Sequence, residues 1–472
     1  MPEEATWQTY EYDRFGNVTK ATDALGNDVT SEYNLMGLPT KQTDRNGNVT
    51  TNTYNAYGSL LTSHVVGGGD NTIYDASEDI LNTYNKTGLL ISAKSGDDNI
   101  TTYTYDAFGN TASETTNGVT NTYTYDVNGN RNTYTQKEGT NTLISSSYTY
   151  DSLDRLTGVN FGDVSAAYTY DANNRLLTDS RGDHTSTYTY NKAGLVTALQ
   201  NSSGDLYNYS YSYRLDGNQL TKFDGDNVDT YTYNDLGQLT RENINNTDIT
   251  YTYDTCGNRT EMYENNKYYT TEYSYDKNNR LISSYKYSND YNDITETEYE
   301  YDANGNLLFK GIGVLDDATD EAEDANLNGS VDYGTNYIYN TRGQMTGAVT
   351  DSKVISYTYD ATGRRSSKTV NGQTTNHYWD GSDIVRETGA NNAIYYRGIN
   401  IIAQRAGTNL SYYLRDAHGD TIGLAGSTGG VVKDYKHDAF GNLAYEYGTN
   451  AETPFPLQRS IHRHRHRLNL PP

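Results

Sequence analysis

The chain has 472 residues, of which 34% are hydrophobic, and it contains 49 Tyr, so aliphatic side chains for several compact cores are scarce and any core is expected to draw heavily on Tyr. A formal net charge of -25, from 36 Lys plus Arg against 61 Asp plus Glu, argues against a nucleic-acid partner, because phosphate-backbone binding needs clustered cations. Disordered chains share such a charge but are poor in aromatics, and Tyr favours strands, so an ordered β-protein is expected.

From Tyr10 a unit of the form Tyr-x-Tyr-Asp-x-x-Gly-Asn/Arg-Leu/Val-Thr recurs along the chain. The Tyr at the third position of the unit appears sixteen times between Tyr12 and Tyr359, followed by Asp or Asn in all but Tyr213, which precedes Arg214, most steps being 20 to 23 residues. Within a unit, as at Thr122 to Tyr125, Thr and Tyr alternate, and a period of two puts both tyrosines on one strand face. The Asp can accept bonds from amides two residues on, while Gly supplies the positive φ of a tight turn, as in Asp126-Val127-Asn128-Gly129-Asn130. Between units, stretches such as Thr115-Thr116-Asn117-Gly118-Val119 carry a second turn signal, so successive hairpins should join into one antiparallel ribbon. Sixteen hairpins at ~4.8 Å per strand would run on the order of 150 Å, more than a twisted open sheet sustains flat. The ribbon is therefore expected to coil, with tyrosines of one turn packed on those of others.

The units YTYDAFGN (Tyr103 to Asn110), YTYDVNGNR (Tyr123 to Arg131) and YEYDANGNL (Tyr299 to Leu307) resemble the tyrosine-aspartate (YD) repeats of Rhs proteins and teneurins. Farther along, Tyr412 to Leu443 resembles the repeat-associated core that closes the array in bacterial Rhs proteins, and YYRGINIIAQ from Tyr395 resembles the strand leading into it. What the resemblance implies is an all-β fold, a long antiparallel ribbon coiled into a spiral shell. In toxin-bearing members that shell encloses a variable C-terminal effector; other members sit on the cell surface and bind carbohydrate. The implied function is a non-catalytic scaffold, secreted or at the cell surface, whose partner is a C-terminal toxin or effector or, alternatively, a cell-surface glycan. The delivery or anchoring domain, and the end of the core with its self-cleavage site and toxin, are expected outside these residues, so no catalytic residue is assigned. Met1 to Thr6 lacks the basic and apolar regions of a signal peptide and no apolar run reaches the length of a membrane span, so the export signal is likewise expected elsewhere.

Three domains are expected: a repeat array over 1–375, a core segment over 376–447 and an aberrant tail over 448–472. The array is interrupted by an acidic insertion, 316–332. Within it Asp324, Asn326, Asn328 and Asp332 stand at positions one, three, five and nine of a calcium loop, Gly329 at the sharp turn and the Ser330 carbonyl at seven. Calcium is the one cofactor this spacing suggests, although Thr335 replaces the bidentate carboxylate at position twelve.

Other motifs read blandly. Arg181-Gly182-Asp183 spells an integrin-type tripeptide in a turn where Gly and Asp are expected anyway. Cys256, the single cysteine, sits in a loop slot held by Phe, Asn or Leu in sister repeats. His377, His418 and His437 are scattered without a Ser-His-Asp or paired-carboxylate spacing. In the tail, Ser460 to Arg467 alternates His and Arg, which suits either a metal-binding tract or a frame change. One permitted set of codons from Pro456, read from its second base, encodes RYSGAYIDTDTGLIYL, which resembles a continuation of the Rhs core. On that reading the tail is expected to be poorly ordered and without function.

Overall fold

The structure is a computed structural model that describes residues 8–68, 78–96, 99–202, 208–244, 246–265, 267–291, 293–315, 333–427 and 430–448. The predicted calcium-loop residues Asp324, Asn326, Asn328, Ser330 and Asp332, and all but the first residue of the predicted tail, lie outside these. The described residues form 40 strands, from Thr9–Tyr12 to Leu443–Gly448, and no helix. The fold is all-β and antiparallel, as the Tyr-Thr alternation predicted.

One repeat shows why. In the strand Val119–Tyr125, Val119, Asn121 and Tyr123 are buried while Thr122 and Thr124 are exposed, the period of two expected of a half-buried strand. The turn that follows is tied by Asp126. Its Oδ1 accepts from the amides of Asn128 (2.9 Å) and Asn130 (2.8 Å), and its Oδ2 accepts from the Asn130 side chain at 3.0 Å. Gly129 has φ 86°, and a Cβ there would meet nothing within 4 Å. Gly129→Val is therefore expected to cost about 1 kcal/mol or more through the backbone alone. Urea unfolding followed by circular dichroism should show a loss confined to a small part of the signal, because quasi-one-dimensional arrays localise damage.

The choice of Asn or Arg four residues after the Asp has a physical cause: both donate to the second carboxylate oxygen. Asn110, Asn258 and Asn306 do so through their amides at 2.8–2.9 Å, and Arg155, Arg175 and Arg280 through Nε at 2.6–2.7 Å. Two of the turns that start with Asn meet an acceptor instead, Asn234 and Asn340 donating to Gln238 (2.7 Å) and Gln344 (2.9 Å), while at Asn34, Asn55, Asn85 and Asn191 the residue four on is Leu or Ser and only its amide bonds the Asn oxygen. The Arg versions also reach the next hairpin, Arg155 Nη1 donating to the Asp171 carbonyl (2.9 Å) with the guanidinium 4.7 Å from the Tyr170 ring.

Each second tyrosine also has a defined task. Tyr33, Tyr105, Tyr190 and Tyr253 donate their hydroxyls to the carbonyls of Val18, Leu90, Leu176 and Leu239, 14 or 15 residues earlier, at 2.6–2.7 Å. The ring thus clamps its own hairpin to the preceding one. Just before this tyrosine the register slips by one residue, as between Thr124 and Tyr125 or Thr189 and Tyr190 and again before Tyr105, Tyr170 and Tyr253, and a bulge recurring at this point increases twist and curvature. Ribbon continuity is direct: Thr111–Thr116 pairs with Asn99–Tyr105 on one side and Val119–Tyr125 on the other. The inter-hairpin turn there has Asn117 (φ 49°) and Gly118 (φ 79°) both left-handed, the hairpin geometry that Asn-Gly favours.

Contacts divide the chain into two compact units, one of residues 1–147 and 231–390, the other of 148–230 and 391–472. Each combines two stretches far apart in sequence, so within each unit the ribbon coils back on itself. The second unit holds two buried clusters. One joins Val159, Val164, Ala166 and Tyr168 to Tyr396, Ile402, Ala403 and Tyr412; the other joins Leu199, Tyr209 and Tyr211 to Leu414, Ile422 and Ala425. Tyr supplies three of eight and two of six members, as many as any other residue type, as composition led one to expect, and the stretch from Ile401 to Ala425 adds aliphatic side chains.

Candidate functional site: the seams between ribbon passes

The polar chemistry that the repeat does not explain lies where one pass of the ribbon is held against another. In the first unit the seam joins residues 249 to 279 apart. Two turns meet tip to tip and exchange bonds reciprocally: Asn304 donates to Asp44 Oδ2 (2.8 Å) and Asn46 to Asp302 Oδ2 (2.8 Å). The Arg45 amide adds a bond to Asn304 Oδ1 at 3.0 Å. The same device recurs where the Ala24 amide (3.1 Å) and the Asp23 carboxylate (3.0 Å) bind the Asn278 side chain. Burial works to raise the Asp23 pKa, but the bonds from Asn27, Asn278 and Leu25 outweigh it and hold the carboxyl below its ordinary value. The turn aspartates thus hold their own turn and also the neighbouring pass.

Farther along this seam Arg342 donates to the Ser63 carbonyl (2.8 Å), and Arg131 forms a fork on Asp380, whose Oδ1 also accepts from Tyr123 at 3.1 Å. Arg364 bridges two carboxylates, Glu114 across the seam (2.6 Å) and Asp360 of its own turn (2.9 Å). Arg386 donates to Gln136 (2.9 Å), which is itself fully buried.

In the second unit the offsets are shorter. Lys222 reaches Asp416 (3.2 Å), Lys436 reaches Asp224 (2.9 Å), His418 meets Gln219 (2.7 Å), and Arg405 pairs with Asp163. Aromatic contacts across this seam join Tyr to other ring types, Phe161 to Tyr396 edge-on at 5.2 Å and Tyr211 to His418 at 6.1 Å. Close approach also matters: at Gly398 a Cβ would stand 2.1 Å from the Tyr168 hydroxyl. Arg181 is 2% exposed and donates to the Tyr413 carbonyl and to Ser186, so the Arg-Gly-Asp tripeptide presents no free arginine. Cys256 is exposed in its turn, as its loop slot predicted. His377 lies beside Glu387, Nε2 to Oε1 3.3 Å, a pairing the scattered sequence positions did not signal.

One turn breaks the pairing rule. Asp416 has Asp420, not Asn or Arg, four residues on. Burial, and then the Asp416 charge, raise the Asp420 pKa. Asp416 itself is held below its ordinary value; burial opposes this, but Lys222 and His418 overcome it. Asp420→Asn should restore the donor seen at Asp126–Asn130 and remove the repulsion, a gain on the order of 1 kcal/mol after allowance for solvent screening. A raised folded pKa means that ionised Asp420 destabilises above its ordinary 3.8, so in thermal melts the gain should be present near neutrality and vanish below about that pH.

These turns, clamps and seams are those of a YD-repeat wall, and the chain belongs to the Teneurin YD-shell family, whose model matches residues 140–271 and 245–461, about two thirds of its length. The RHS repeat model matches residues 84–120. The chain is similar to the tRNA(Glu)-specific nuclease WapA of Bacillus subtilis subsp. natto (strain BEST195), with 33% identity over 150 residues. It is similar also to the tRNA nuclease WapA of Bacillus subtilis (strain 168), again with 33% identity over 150 residues. Each match covers 29% of this chain and 6% of the relative. Among solved structures, the Photorhabdus luminescens Tc holotoxin pore aligns with 94% of this chain and 25% of its own at 16% identity and TM-score 0.47. A TcdB2-TccC3 crystal structure aligns with 94% and 31% at 15% identity and TM-score 0.44.

Proposed function

We propose that this YD-shell scaffold forms the wall around a C-terminal effector of a secreted or cell-surface protein of the polymorphic-toxin kind. The observation that carries the reading is the seam: turn aspartates, turn asparagines and buried arginines are spent on joining passes of one ribbon, which is the work of a wall. The WapA relatives are described as tRNA nucleases, and the stretch they share with this chain is 6% of their length, so a nuclease-like activity would belong to sequence beyond the repeats. The alternative, a carbohydrate-binding surface, cannot draw on the second tyrosine of each repeat, whose hydroxyl is committed to a neighbouring hairpin in the wall.

Electron microscopy of the full chain tests the proposal. A hollow particle is expected; a solid rod without interior volume would overturn it.

A further inference from the structure

Where the first turns meet tip to tip, within the first unit, a cleft of about 330 Å³ opens between Asp23 and Arg45 on one pass and Lys277 and Asn304 on the other. We propose that this cleft binds one phosphate group, as the free ion or at the end of a phosphomonoester. Its volume lies at the lower end of the range for ligand sites, which suits a phosphate and a short stem.

Charge points to an anion. The chain has a net charge of -25, yet three cations, Arg45, Lys277 and Arg280, line this cleft against one carboxylate, Asp23. That carboxylate is already saturated, since it accepts from the amides of Leu25 (3.0 Å) and Asn27 (2.9 Å) and from the Asn278 side chain (3.0 Å). Arg280 is committed to Asp276 through Nε (2.6 Å) and to the Asp302 carbonyl through Nη1 (3.0 Å), so it adds charge to the cleft more than free donors. The other two cations are available. Arg45 Nε is buried and makes no hydrogen bond, although Asp23 Oδ2 lies 3.2 Å away. Lys277 is exposed and has no ion-pair or hydrogen-bond partner among the described residues.

The neutral amides of the lining agree. Gln8 Oε1 accepts from the Tyr10 hydroxyl (2.6 Å) and Asn279 Oδ1 from the Asn258 side chain (2.9 Å), so each amide has spent its acceptor and keeps its NH2 donors. A lining with acceptors used and donors left selects a ligand made of acceptors, and a phosphate dianion is such a ligand. A nucleic acid is not, because the positive surplus is confined to one cleft and the rest of the chain repels a polyanion. With Arg45 on one pass and Lys277 on the other, a bound phosphate bridges the seam.

The site does not depend on an enclosed effector, so its failure would leave that reading untouched. The test is phosphorus NMR titration of the full chain at about pH 7.5, where phosphate is mostly the dianion, at constant ionic strength in sodium chloride. The probes are inorganic phosphate, glycerol 3-phosphate and dimethyl phosphate. Binding with a Kd on the order of 1 mM is expected for a dianion. Inorganic phosphate alone would assign the site to the free ion, and glycerol 3-phosphate binding as well would assign it to a phosphorylated molecule. Dimethyl phosphate, with a single charge, should bind at least roughly tenfold more weakly. Lys277→Met, at an exposed side chain, should weaken binding about tenfold, and so should Arg45→Met, with folding of both checked by thermal melting. Lys86→Met, at an exposed turn lysine outside the cleft, should change nothing. No binding of either dianion at ten times the expected Kd would overturn the proposal. So would an affinity unchanged in folded Lys277→Met, an equal loss in Lys86→Met, or dimethyl phosphate binding as tightly as the dianions.

Discussion

Replacing Arg364 with Leu is expected to destabilise the unit that contains it by about 3–5 kcal/mol, the usual result of removing one partner from a buried ionic cluster. The effect is large because one guanidinium serves two carboxylates, and the side chains of Glu114 and Asp360 are 8% and 3% exposed. Leu would leave both without their cation in surroundings that cannot solvate them. Arg364→Lys keeps the charge but not the fork, so it should fall between wild type and Leu. Urea unfolding at neutral pH measures the order. A loss below 1 kcal/mol for the Leu variant would mean that the bridge does not hold the seam.

How much of this was legible from the residues divides along sequence distance. Everything that happens within about 25 residues leaves a mark: the Tyr-Thr alternation gave the strands, and Asp126 with Gly129 gave the turn. Even the exchange of Asn130 for Arg155 four residues after the Asp is a readable rule once the carboxylate's second oxygen is considered. The seams left no such mark. Arg364 occupies the same slot as Arg155, Arg175 and Arg280 and bonds its own turn as they do; only the fold brings Glu114, 250 residues away, to its outer nitrogen. The tip-to-tip bonds of Asn46 and Asn304 are hidden for the same reason, since each asparagine reads locally as an ordinary turn residue. Tyrosine does pack with tyrosine between passes in the second unit, where Tyr168 shares a buried cluster with Tyr396 and Tyr412, but the second tyrosine of the repeat has another task. The phenol is long enough to reach a carbonyl 14 residues back, as Tyr190 reaches Leu176, and a bonded hydroxyl fixes the ring within its own pass. What crosses the seam of the first unit is mostly charge and amide, held by groups whose local role is already complete, whereas the second unit adds two apolar clusters across its seam.

Lys222→Met should give the largest pH-dependent change in the second unit. Asp416 is 4% exposed and its Oδ2 lies 3.2 Å from Lys222 Nζ, while its Oδ1 accepts from the amides of His418 (2.9 Å) and Asp420 (3.1 Å). Burial alone would raise its pKa, and the Lys222 charge does most to overturn that. In the wild type, a folded pKa below the ordinary 3.8 means that ionised Asp416 stabilises the fold above that pH, and this support is lost as pH falls through the lowered value. Met keeps much of the length and apolar bulk of the lysine stem but removes the cation. Burial then wins, the folded pKa of Asp416 moves above 3.8, and the ionised form becomes a liability near neutrality. The expected loss at neutral pH is about 3–5 kcal/mol, shrinking steadily as acid protonates Asp416 and becoming small below its ordinary value. A second change, Asp416→Asn on the Lys222→Met background, removes the charge that needs a partner and should recover most of the loss at neutral pH while flattening the pH dependence. Thermal melts of the two variants from about pH 4 to 8 separate this account from simple loss of packing, for which the deficit would be the same at every pH and the second substitution would recover nothing.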